Sequence, residues 1–249
     1  MDRINTLKSA AVNHPGSFIG YGNPNSDVLI LGKECAFNPE DTFPSEQILN
    51  QISYYNNAAS WVKYCENPFD SSLIPDWKAS MEWDWAKNFC PRFAFKGQYY
   101  TTTYCVGSTS RTWYMYQKLL DMYRGVSRSP GRFNWFSGWI KEPSLLDFQD
   151  YCFITELSDI PMLQSRTCPE VKESINSRIN GLFKEPYFQS FPLVIAACGV
   201  YVKRYQINLR KLFPNSRIIV TNQLSRMPRK GYLEEIVEKM KGTEDFSIL

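Results

Sequence analysis

FPLVIAACGVYVKRYQINLRKLFPNSRIIVT, residues 191–221, decides the fold. Its two apolar runs, Leu193–Ala197 and Arg217–Thr221, are continuous or β-branched rather than alternating, as strands covered on both faces are. Between them, Gly199–Phe213 sets Val202, Tyr205, Leu209 and Leu212/Phe213 at helical spacing. Gly199 supplies the turn after the first run, and Pro214-Asn215 the turn before the second. Strand, helix and strand in this order imply a right-handed crossover and a parallel sheet.

Working outward, Tyr151–Leu157 (YCFITEL) and Asp27–Leu31 (DVLIL) have the same strand character. Turn residues Asp159 to Pro161 follow the first, and Asn23-Pro24-Asn25 precede the second. Pro169–Phe183 carries Val171, Ile175, Ile179 and Leu182/Phe183 on one stripe, and Gly231–Met240 carries Leu233, Ile236, Val237 and Met240. The reading is an α/β chain: three layers, α/β/α, around a short four-stranded parallel sheet.

The interval between the first two strands is far too long for one crossover. It predicts an aromatic-rich insertion at approximately residues 45–140, within one domain spanning 1–249. Every tryptophan (Trp61, Trp77, Trp83, Trp85, Trp113, Trp135, Trp139) falls in that interval. One helix is legible there, Ser110–Arg124, with Trp113, Tyr116, Leu119/Leu120 and Tyr123 on its apolar face.

A composition of 43% hydrophobic and 15% aromatic residues excludes a disordered chain. No apolar stretch is long enough to cross a bilayer, and MDRINTLKSAAVNHPG lacks the core of a signal peptide. A cytoplasmic monomer is expected. Cys35, Cys65, Cys90, Cys105, Cys152, Cys168 and Cys198 form no Cys-x-x-Cys pair, and His14 is the single histidine. Neither a zinc site nor another metal or cofactor is expected. The net charge of +3 is uneven. Lys203, Arg204, Arg210, Lys211, Arg217, Arg226, Arg229 and Lys230 fall in a stretch, 199–230, without one Asp or Glu. Such a run is either a solvated face or the footprint of a polyanion.

In open parallel sheets, ligands gather at the carboxyl ends of the strands. Those ends carry Gly32-Lys33-Glu34-Cys35, Glu156 with Ser158-Asp159, Cys198-Gly199, and Asn222-Gln223-Leu224-Ser225-Arg226. GNPNSDVLILGKE at Gly22–Glu34, FITEL at Phe153–Leu157, FPLVIAACG at Phe191–Gly199 and TNQLSR at Thr221–Arg226 together resemble the ordered motifs of the uracil-DNA glycosylase superfamily. The resemblance covers Gly22–Glu34 and roughly the last hundred residues, and the insertion lies outside it. It implies a metal-free enzyme of base excision and DNA repair, hydrolysing the N-glycosidic bond of a base flipped out of DNA.

By that resemblance Glu34 is the carboxylate that stabilises the oxocarbenium-like sugar or orients water. Phe37, or a Tyr or Trp of the insertion, stacks on the base, Glu156 and Gln223 read its edge, and Asn222 or Gln223 meets the charge developing on it. Lys33, Ser225 and Arg226 grip phosphate, and Leu224 wedges into the stack. The chain departs from the superfamily at Glu156, where many members carry asparagine, and in the last loop, which lacks a histidine. An ionised carboxylate only accepts hydrogen bonds, which suits a cytosine-like or modified base better than uracil. The same residues also have plain readings: a surface glutamate at 34, a Glu156 paired with an arginine such as Arg166, and a helix-packing leucine at 224. Two other functions stay open: a catalytically decayed module that binds nucleic acid or protein, and an unrelated α/β enzyme acting on a nucleotide or small molecule.

Overall fold

The computed structural model describes residues 2–34, 54–68, 90–100, 108–126, 146–162, 168–224, 229–242 and 245–247. In chain order its elements are α1 (Arg3–Asn13), β1 (Tyr21–Gly22), β2 (Val28–Gly32), α2 (Asn57–Glu66), β3 (Tyr99–Tyr100), β4 (Ser108–Thr109), α3 (Arg111–Arg124) and β5 (Phe153–Glu156). There follow α4 (Pro169–Asn180), α5 (Pro186–Gln189), β6 (Leu193–Ala196), α6 (Gly199–Arg204), α7 (Leu209–Leu212), β7 (Arg217–Val220), α8 (Tyr232–Lys241) and β8 (Phe246–Ser247).

The four strands read from the sequence form the centre of the sheet, all parallel, in the order β5-β2-β6-β7. The expected strand count is corrected, because the described sheet has six strands. β1 pairs antiparallel with β5 at one edge, and β8 pairs parallel with β7 at the other. Each added strand is two residues long, too short to leave a period in the sequence. The expected helix over 199–213 is also interrupted. Gln206 takes φ 52°, and the Asn208 side chain then accepts from the Lys211 N–H to start a second short helix.

Side chains alternate across each strand, so one sheet serves two cores. Leu29, Leu31, Phe153, Val194 and Ala196 face the layer of α1, α2 and α4. Val28, Ile30, Ile154, Ile195 and Ile219 face α3 and α8. The two helices described in the long interval between β2 and β5 therefore join opposite layers of the same sheet. Trp61 on α2 is fully buried against Phe153, and its Nε1–H donates to the Gly20 carbonyl at 2.8 Å. Asn57, one turn earlier, accepts from the Ile19 and Gly20 N–H groups and donates to the Gly20 carbonyl. This clasp satisfies the backbone just before β1, where Gly20 has φ +142° and a Cβ would stand 2.2 Å from the Ile154 carbonyl oxygen. No described helix is long and apolar enough to cross a membrane.

Phe153 sits at the centre of an aromatic nest of Trp61, Tyr187, Phe188 and Phe191 and is fully buried. Phe153→Ala is expected to lower stability by about 3–5 kcal/mol, read as a shifted urea midpoint with an unchanged slope.

Candidate functional site

The strand order reverses direction at β2: the chain passes from β2 to β5 on one side and then to β6 on the other. A crevice at the carboxyl end of such a switch point is where α/β sheets collect ligands. β2 ends there in Gly32, followed by Lys33 and Glu34, and β5 ends in Glu156. Backbone bonds from Leu157 N–H to the Gly32 carbonyl (3.0 Å) and from Ser158 N–H to the Lys33 carbonyl (2.8 Å) hold the two strand ends together.

Gly32 is the register partner of Glu156. A Cβ at position 32 would stand 2.0 Å from Glu156 Oε2, so the carboxyl group lies across the bare Cα of Gly32. Oε2 is wholly buried and accepts no hydrogen bond. The Glu34 side chain is buried as well, at 8% exposure. Burial first, and the nearby Glu34 charge second, push the Glu156 carboxyl up to about 8 from its ordinary 4.5, while Arg178 and Lys33 hold it down. Two carboxyl groups thus meet on one rim, and burial favours the neutral form of Glu156.

Arg178, on α4 and only 2% exposed, braces this rim from below. Its Nε–H donates to the main-chain carbonyl of Glu156 at 3.1 Å, and Nη2 donates to the Phe18 carbonyl and Thr155 Oγ1. Nη1 pairs with Asp159 at 3.4 Å, and Asp159 also accepts from Ser174 Oγ at 2.5 Å. The arginine that supports Glu156 is therefore Arg178, bonded to its backbone; Arg166 lies outside the described residues. The sequence reading missed Arg178; its signal is a charge at helical spacing from Val171, Ser174 and Ile175, with which it shares the buried face of α4.

Three further groups surround the pair. Tyr116 reaches it from α3 and Cys198 from the start of α6, and burial pushes both well up, so both stay protonated. Lys33 Nζ lies 5.5 Å above the buried ring of Tyr201, which Arg204 also approaches at 6.0 Å.

Of the residues anticipated from sequence, Lys33, Glu34 and Glu156 come together. Asn222 and Gln223 are exposed at the end of β7, two strands from β2, or about 10 Å at ordinary strand spacing. Leu224 is 2% exposed among the residues packed with α8, the packing reading of that side chain, and it presents nothing to solvent. Phe37, Ser225 and Arg226 lie outside the described residues. The basic stretch is partly neutralised: Arg210 pairs with Asp245 and Arg229 with Glu235. An open groove of about 410 Å³, walled by Val202, Ile207, Leu209, Ile218 and Val220, lies along β7 away from the carboxyl pair and carries no reactive group beyond the paired Arg210 and Asp245. No protein family, curated protein or solved structure matches the chain.

Gly32→Ala should cost about 1–3 kcal/mol through collision with the Glu156 carboxyl. The double variant Gly32→Ala/Glu156→Ala should recover most of that cost, a coupling read from a double-mutant cycle in urea. Glu156 also ties stability to pH. The unfolded chain loses this proton near 4.5 and the folded chain near 8, so the stability is fully present below the lower value and lost as pH rises to the upper one. Wild type should lose up to about 1.4 kcal/mol per pH unit across that window relative to Glu156→Gln, measured as urea stability at several pH values.

Proposed function

We propose that the chain hydrolyses an N-glycosidic bond in DNA, releasing a base that is turned out of the stack onto the rim at the carboxyl ends of β2 and β5. The observation that carries the reading is the pairing of two carboxyl groups, Glu34 and Glu156, at the carboxyl ends of adjacent strands beside the switch point. Breaking such a bond builds positive charge on the sugar and negative charge on the leaving base. Glu34 answers the first demand in this reading, stabilising the sugar cation and orienting the attacking water. Lys33, whose Nζ lies over the Tyr201 ring, is the cation this reading assigns to a phosphate at the mouth. The ordered motifs that resemble uracil-DNA glycosylases support the same reaction class. Leu224 has no part in this reading, because its side chain is packed inside.

The test is single-turnover base release from duplex and single-stranded oligonucleotides carrying uracil, mismatched thymine, hypoxanthine, deaminated purines or modified cytosines. One of these bases should be released by wild type. Release should fall by at least about a hundredfold in Glu34→Gln with the fold intact by circular dichroism. DNA retention at low salt without release from any substrate would instead favour the binding module, and neither release nor salt-sensitive retention would remove DNA from the account.

A further inference from the structure

The carboxyl of Glu156 is placed as no ionised side chain would be. Its Oε2 is sealed against the Cα of Gly32 with no donor to meet it. The nearest buried cation, Arg178, directs its donors to backbone carbonyls, Thr155 and Asp159. The neighbouring strand end presents a second carboxyl, Glu34, rather than a counter-charge alone. A buried oxygen that lacks a donor and faces a like charge favours the neutral form of its carboxyl.

We propose that Glu156 is the proton donor of the site, delivering its proton to the departing base, while Glu34 takes the proton of the attacking water. The proposal rests on the glycosidic reading above and deepens it. In the step, the sugar–nitrogen bond breaks and its electron pair leaves with the base, which takes the Glu156 proton. The oxygen of a water molecule bonds to the sugar carbon, and the proton this water loses passes to Glu34. Return of that proton from Glu34 to Glu156 restores the pair. One water is consumed, and one free base and one sugar hydroxyl are formed.

The surrounding charges agree with this division. Glu34 and Lys33 face Glu156 from the end of β2, Arg178 from α4, Tyr116 from α3 and Cys198 from the start of α6. Tyr116 and Cys198 are held too far up by burial to compete as donors at neutral pH. The assignment also widens the range of bases. A neutral carboxyl can donate through its O–H, which an ionised one cannot. The edge of uracil is then as compatible with Glu156 as that of cytosine, and the restriction that an ionised glutamate would impose is lifted.

The first test is a ¹³C NMR titration of the glutamate carboxyl carbons, with Glu156 assigned by its loss in Glu156→Gln. Wild type should show its step near pH 8, moving down in Glu34→Gln, where the like charge is gone, and up in Lys33→Met, where a cation is gone. A step in the ordinary carboxylate range, or one indifferent to both variants, overturns the proposal whatever the release assay gives. The second test uses whichever oligonucleotide releases its base. The wild-type rate should fall about tenfold per pH unit above the Glu156 step. Glu156→Gln, which keeps a hydrogen-bond donor but has no proton to transfer, should lose at least about a hundredfold in rate together with that alkaline limb. A Gln variant of wild-type rate overturns proton donation. A step near pH 8 beside no release from any oligonucleotide overturns the glycosidic reading and leaves the division of the proton between the two glutamates standing.

Discussion

The parallel register between β2 and β5 is the constraint on which the rest of the site depends. It sets Glu156 opposite Gly32, and only a residue without a side chain leaves room there for a carboxyl group. Alternation along the strands does the remainder. Ile30 and Ile154 point to the α3 side of the sheet, and so, two residues on, do Gly32 and Glu156. The hydrophobic pattern that buries Ile154 against α3 therefore also drives the Glu156 carboxyl inward beside Tyr116. A slip of one residue would move the carboxyl to the other face and leave the rim with one acid instead of two.

A buried acid needs a rigid seat, and Arg178 provides much of it. Its guanidinium joins the Phe18 carbonyl before β1, Thr155 and Glu156 of β5, and Asp159 beyond the strand end. Replacing it with an apolar residue would free several acceptors at once, which is more costly than losing any one hydrogen bond. It bonds to the backbone of Glu156 rather than to its carboxyl, so it fixes the position of that group while its charge offsets burial only in part. Arg178 thus positions the strand end, while burial and Glu34 push the carboxyl up against the pull of Arg178 and Lys33.

The central strands were legible because each is buried on both faces and bounded by turn residues. The parallel direction of the four strands and the carboxyl-end rim followed from the crossovers between them, whereas their spatial order came only with the fold. Other features left weaker traces. α1 has a capping Asp2 and the stripe Ile4, Leu7, Ala10/Ala11, and α2 has Ala58, Trp61 and Tyr64 at helical spacing. Both are visible once sought, although the second is masked by an aromatic-rich context in which any spacing finds a partner. The two-residue edge strands could not be read at all, since they exist only by pairing with strands already in place. The protonated state of Glu156 was equally hidden. It depends on Gly32 across the sheet and on Glu34 at the neighbouring strand end, and no local window contains those three residues.

Several residues that suggest a family by their order have local structural duties that explain them without one. The Asn23 side chain donates to the Asp150 carbonyl and accepts from the Asn25 N–H, locking the turn into β2. Tyr187 Oη meets the Pro24 carbonyl, and Leu224 packs beneath α8. Such duties would preserve the same letters in a chain of any function, so they weigh little in deciding what the site does. A buried glutamate oxygen without a hydrogen-bond donor weighs more, because it lowers stability wherever it serves no purpose. Asn222 stands two strands away from β2, whereas Glu156 stands on the adjacent one. If a base lies in this crevice, the acid on β5 is the nearer group to receive it, and the chemistry follows from the pair of glutamates rather than from the last loop.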